Sequence, residues 1–142
     1  MSNDQTTLVP HLVVQGGRAA IEFYQKAFGA EEVNVITSPE NGLIMHAVLR
    51  FGQSQLYLSD AFTEMEPAPT PSRASLMNLN VPDARALFDQ AIAAGATVAY
   101  PLEKTFWDAL YGQLTDPFGH TWSIHQQLRR QGAGEPCEAA EA

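Results

Sequence analysis

Four imidazoles are the first groups in this chain with chemistry to offer: His11, His46, His120 and His125. A neutral imidazole donates at one ring nitrogen and accepts at the other, and it is also a common ligand for divalent cations. His11, His46 and His125 fall in or beside β-favouring runs, so together they allow a loose metal site. They equally suit the walls of a polar pocket, since no carboxylate accompanies them. His120 closes the run Asp116-Pro117-Phe118-Gly119, in which Asp accepts from backbone amides, Pro fixes φ and Gly permits a positive φ. That run reads as a turn, with His120 bonded to it or to a neighbouring strand. Phe106, Trp107, Tyr111 and Trp122 concentrate aromatic surface in one region, with Phe106 and Trp107 in a loop that suits a ligand or a partner. Trp122 alternates with Thr121 and Ser123, so the indole and the hydroxyls take opposite faces of a strand.

Other chemistry is missing. The chain has no Gly-Lys-Ser/Thr phosphate loop, no Gly-x-Gly-x-x-Gly and no Gly-x-Ser-x-Gly elbow. Its one cysteine, Cys137, lies in a terminal run of Ala, Glu and Gly, which argues against a catalytic thiol and excludes an intrachain disulfide. Glu31-Glu32 and Glu103-Lys104 read as surface pairs. Arg50, at a strand end, reads as an exposed cation with a lesser chance of anchoring an anion.

Eight basic and 16 acidic residues among 142 give a net charge of −8. That balance opposes nucleic acid, which needs a basic face, and it opposes an anionic membrane surface. The apolar runs are too short to span a bilayer, and the polar segment Met1–Thr7 carries no lysine or arginine for a secretory signal. A cytoplasmic protein is expected.

The elements that must position these side chains come in two similar sets. Leu12-Val13-Val14 precedes a helical run over Arg18–Ala30, with Ile21, Tyr24, Ala27 and Phe28 on one face. Leu79-Asn80-Val81 precedes Ala84–Ala96, with Leu87, Ala91 and Ala94 on one face. Each helix stops at a glycine, Gly29 or Gly95, able to take a left-handed cap. Strand runs follow at Val33–Ile36, Ile44–Arg50 and Gln55–Leu58, and again at Val98–Tyr100, Tyr111–Thr115 and Thr121–His125. Matched positions lie 66 or 67 residues apart, so a repeated β-α-β-β-β unit is the simplest reading. Three prolines between Phe62 and Ser72 make a linker between the halves, and Arg129–Ala142 lacks any large apolar residue and reads as a disordered tail.

The sequence resembles the vicinal oxygen chelate superfamily, in its PhnB-like, glyoxalase/bleomycin-resistance branch. The resemblance is carried by Val9-Pro10-His11-Leu12-Val13-Val14, Ala20–Ala30, Met45–Leu49, Phe106-Trp107, Tyr111-Gly112 and Asp116–Trp122. It implies paired βαβββ modules, each a cupped sheet, with a ligand cavity that a homodimer usually completes. Metal-using members of that superfamily place four His or Glu ligands on the first and fourth strands of each module. Those positions fall here near Val9, Leu56 or Tyr57, Leu76 and Ser123, none of them an ordinary divalent-metal ligand.

The expectation is therefore an α+β protein. It comprises a flexible N-terminus (1–7), a first module (8–61), a Pro-rich linker (62–72), a second module (73–128) and the tail (129–142). A small apolar or aromatic molecule would sit among Phe106, Trp107, Tyr111 and Trp122, with polar contacts from His11, His46, Tyr57, Asn78 and His125. No metal or other cofactor is expected, and a homodimer is. Two alternatives stand beside this: a metal-dependent lyase or isomerase using His11, His46 and His125, and a dimeric structural or interaction module.

Overall fold

The computed structural model describes residues 7–61 and 75–128. The proline-rich linker at 62–72, the tail at 129–142 with Cys137, and most of the N-terminal segment lie outside them. Two four-stranded sheets with one helix each confirm the repeat. The first module runs β1 (His11–Val14), α1 (Gly17–Phe28), β2 (Glu31–Thr37), β3 (Ile44–Phe51) and β4 (Ser54–Asp60). The second runs β5 (Met77–Asn80), α2 (Ala84–Ala94), β6 (Thr97–Lys104), β7 (Ala109–Thr115) and β8 (Thr121–Gln127). Strand orders are β1-β4-β3-β2 and β5-β8-β7-β6. The helix carries the chain across, so the first strand of each module pairs parallel with the fourth, and the remaining pairs are antiparallel.

Helix α1 buries Ala20, Ile21, Tyr24 and Ala27, the stripe its 3.6-residue period dictates, and ends at Gly29 with φ 73°. Helix α2 buries Phe88 and Ala91, with Leu87 and Ala94 packed at the margin. Each helix covers one face of its own sheet, where Leu12, Val14, Ala47, Leu49, Leu56 and Leu58 in the first module meet Leu114, Trp122 and Ile124 from the second in one core. Phe88 lies so close to Gly112 that an added Cβ would come within 2.8 Å of its ring and 2.9 Å of Leu102 Cα.

One strand is longer than the sequence suggests. The run Val98–Tyr100 stops before Pro101, yet β6 continues through it to Lys104. This is permitted because β6 is an edge strand and its pairing slips between Tyr100 and Glu103, so the missing N–H breaks no ladder. Glu103 thereby becomes a strand residue with a defined face.

Candidate functional site

Cross-strand partners share a face, so register alone states what each sheet presents on the side away from its helix. On the second sheet two rows cross all four strands. One is Glu103–Tyr111–His125–Asn80 and the other is Tyr100–Gln113–Ser123–Asn78. On the first sheet the corresponding row is Asn34–Val48–Tyr57–His11, followed by Ile36 beside His46 and Ser59 beside Val13.

The first face gathers three of the residues singled out from sequence. His11 Nε2 lies 2.9 Å from Ser59 Oγ, and the His11 and His46 rings sit 6.5 and 4.8 Å from that of Tyr57, edge to face. The second face gathers the others. Ser123 donates to Asn78 Oδ1 at 2.8 Å, Asn78 donates to Asn80 Oδ1 at 3.1 Å, and Gln113 donates to the Tyr111 hydroxyl at 3.0 Å. At its outer end a cavity of about 340 Å³ is lined by Tyr100, Glu103, Lys104, Thr105, Phe106, Trp107, Tyr111 and Gln113. Tyr100 and Tyr111 stand 6.3 Å apart, and Phe106 meets Trp107 edge-on at 4.8 Å. Phe106 and Trp107 are 95% and 44% exposed.

Trp122 does not join them. It pairs with Leu114 and Met77, which puts it on the helix side of the sheet, 1% exposed. There it packs against Tyr24, Phe28 and Phe51 at 4.6 to 5.5 Å, and its Nε1 donates to Asp116 Oδ2 at 2.8 Å. A ligand shared between Trp107, Tyr111 and Trp122 is therefore ruled out by strand alternation. The expected roles of Asp116 and His120 agree with the structure. Asp116 Oδ1 accepts from the amides of Phe118 and His120 at 2.8 and 3.0 Å, and His120 Nε2 lies 3.1 Å from Val13 O. Sequence reasoning did not reveal that Tyr24 of α1 donates to Asp116 Oδ2 at 2.5 Å across the modules. Burial first, then the adjacent carboxylate, hold the Tyr24 phenol far above its ordinary value.

The charged surface is mostly internally paired. Arg50 meets Glu31, Arg18 meets Glu32 at 3.0 Å, and Lys104 meets Asp108 at 3.5 Å. Arg50 is thus compensated rather than open to an anion.

A second opening, a groove of about 720 Å³, runs between Thr7–Pro10 with Gln53–Leu56 on one side and Leu76–Asn80 on the other, floored by Phe51 and Trp122. Val9, Leu56 and Leu76, three of the positions the family resemblance marks for metal ligands, line it. They present hydrocarbon, and Ser123 has its hydroxyl engaged by Asn78. This donor set does not fit a divalent cation. Among the described residues no three His, Cys, Asp or Glu side chains come together in a metal-binding group, and His11 and His46 lie on one sheet while His125 lies on the other.

Comparison with known proteins agrees with this architecture. An uncharacterized protein of Mycobacterium bovis is 38% identical over 139 residues, covering 94% of this chain and 91% of that protein. A crystal structure from Pseudomonas aeruginosa superposes with a TM-score of 0.72 at 32% identity, covering 87% of this chain and 98% of the other. The PhnB protein from Bacillus cereus shares the fold, with a TM-score of 0.70 at 20% identity, covering 85% of this chain and 99% of its own. No helix among the described residues is long and apolar enough to cross a membrane. The Glyoxalase/Bleomycin resistance protein/Dioxygenase superfamily profile matches residues 5–124, and the chain belongs to that superfamily.

Proposed function

We propose that the protein binds a small apolar or aromatic molecule without the metal centre of its metal-using relatives. The observation that carries this reading is the cavity on the second sheet. Its volume of about 340 Å³ suits a single-ring or two-ring ligand, and Tyr100, Tyr111, Phe106 and Trp107 supply aromatic walls. His125 and Asn80, on the same face one and two strands further in, add polar groups that can orient such a ligand. Hydrocarbon at Val9, Leu56 and Leu76 supports metal-free binding, since an aliphatic side chain donates no electron pair. In this reading two copies associate so that each covers the other's open sheet face, and the complex works in the cytoplasm.

His11 and His46 share one sheet face beside Tyr57, so a metal-dependent lyase or isomerase with imidazole ligands is the other reading to be tested. Elemental analysis of untagged protein separates the two. Substoichiometric Zn, Ni, Mn and Fe supports metal-free binding. One equivalent of metal, lost in His11→Ala or His46→Ala, replaces it with the lyase. Light scattering should give twice 15.5 kDa, and a monomeric mass at micromolar concentration removes the dimer from the proposal.

A further inference from the structure

The cavity on the second sheet has a charge asymmetry that the first sheet lacks. Glu103 stands opposite Tyr111 at the outer end of its row, whereas the matching position on the first sheet is Ile36, opposite His46. Lys104 also lines the cavity, but its ammonium is already met by Asp108 at 3.5 Å. Glu103 takes part in none of the ion pairs among the described residues. One carboxylate outside those ion pairs thus shares the cavity wall with four aromatic side chains.

Those features select the same ligand charge. The face of an aromatic ring is negative, so rings that surround a ligand favour a cation over a neutral molecule and a neutral molecule over an anion. Glu103 adds Coulomb attraction for a cation and repels a carboxylate. The overall charge of −8 acts in the same direction at longer range, by concentrating cations near the surface.

We infer that the cavity bounded by Tyr100, Phe106, Trp107 and Tyr111 takes an aromatic or bulky organic cation, a quaternary or protonated amine whose charge faces Glu103. The inference rests on the small-molecule reading above and names the class of molecule. Glu103 is the specificity-determining residue. The rings hold the ligand's hydrocarbon and the face of its charged group.

Three probes of similar size test it on the full chain: benzyltrimethylammonium, benzyl alcohol and phenylacetate. Binding is read by calorimetry and by quenching of Trp107, since the other tryptophan, Trp122, is buried. The cation should bind about 3- to 30-fold more tightly than the alcohol, and phenylacetate more weakly than both. Glu103→Gln should remove most of that preference by weakening the cation far more than the alcohol. Glu31→Gln, which changes net charge equally on the other module, should leave the preference intact. Trp107→Leu should weaken both the cation and the alcohol. If the alcohol and the cation bind equally, or the preference survives Glu103→Gln, the cation assignment falls and small-molecule binding stands. If none of the three binds, the cavity reading itself falls, and the assignment with it.

Discussion

The two modules share a backbone plan, yet they solve the start of their helices differently. In both, a side chain near the end of the fourth strand accepts from the helix N-terminus. Asp60 Oδ1 accepts from Gly16 and Gly17 at 3.0 and 2.7 Å, and Gln126 Oε1 accepts from Ala84 at 2.7 Å. The cap position before helix α1 is Gly16, which has no side chain to cap with, so a strand lends the acceptor. Helix α2 has a local cap in Asp83, which accepts from Ala86 at 3.1 Å. A buried carboxylate side chain that accepts from three amides therefore does this work in the first module, and a single side-chain amide oxygen suffices in the second. The β3–β4 and β7–β8 turns differ in the opposite sense. The first is Phe51-Gly52-Gln53-Ser54, without a carboxylate, while the second carries Asp116, which binds its own turn and the helix of the other module. Repetition supplied two sheets, and a shared apolar core tied by Asp116 made one body of them.

That asymmetry gives its largest expected effect at Asp116. Asp116→Ala strands two amides, the Tyr24 hydroxyl and the Trp122 indole, and should destabilise by about 3–5 kcal/mol in chemical denaturation. Gln53→Ala, in the corresponding turn, should shift stability by less than about 0.5 kcal/mol. Equal effects would show that the cross-module bonds are not what joins the halves.

The helix caps come next. Asp60→Ala orphans the amides of Gly16, Gly17 and Ile44 and should cost about 2–4 kcal/mol. Gln126→Ala should cost only about 1 kcal/mol, because Asp83 still caps α2. Reversal of that order, measured on the same denaturation curves, would overturn the argument from local capping.

Gly112 and Ala47 occupy matching positions on β7 and β3, paired with Ile124 and Leu58. Gly112→Ala should destabilise by about 1–3 kcal/mol, since the new methyl meets the Phe88 ring and Leu102 backbone. Heat denaturation that leaves the melting temperature unchanged would mean that α2 can shift away from its sheet.

The smallest expected effect concerns pH. Tyr24 titrates higher when folded than when unfolded, where its ordinary value is 10.0, so its neutral form is the one the fold favours. Its contribution is fully present below pH 10 and is lost as the pH rises further. Tyr24→Phe should flatten that alkaline loss and cost about 1 kcal/mol at neutral pH. An unchanged alkaline profile would assign the loss to other groups.

Much of this architecture is legible in the chain itself. The 66- or 67-residue repeat, the stripe Ile21, Tyr24 and Ala27, the glycine stops and the Asp116–His120 turn each depend on local spacing or local turn chemistry, which sequence states directly. The strands that carry His11, His46, Tyr57, Asn78, Tyr111 and His125 were legible for the same reason. Tertiary structure decided what local pattern leaves open. Alternation put Trp122 on a face opposite Ser123 but could not say which face was core; packing against Phe28 and Phe51 settled it. Pro101 hid the outer half of β6, because only an edge position and a bulge let a strand pass through a proline, and neither is visible one residue at a time. Glu103 read as exposed surface, which it is, and only the register shows that it stands opposite Tyr111. The bond from Tyr24 to Asp116 joins residues 92 apart, and no periodicity reaches that far. Spacing along the chain fixes which residues share a face; which faces meet depends on how the two modules pack into one core.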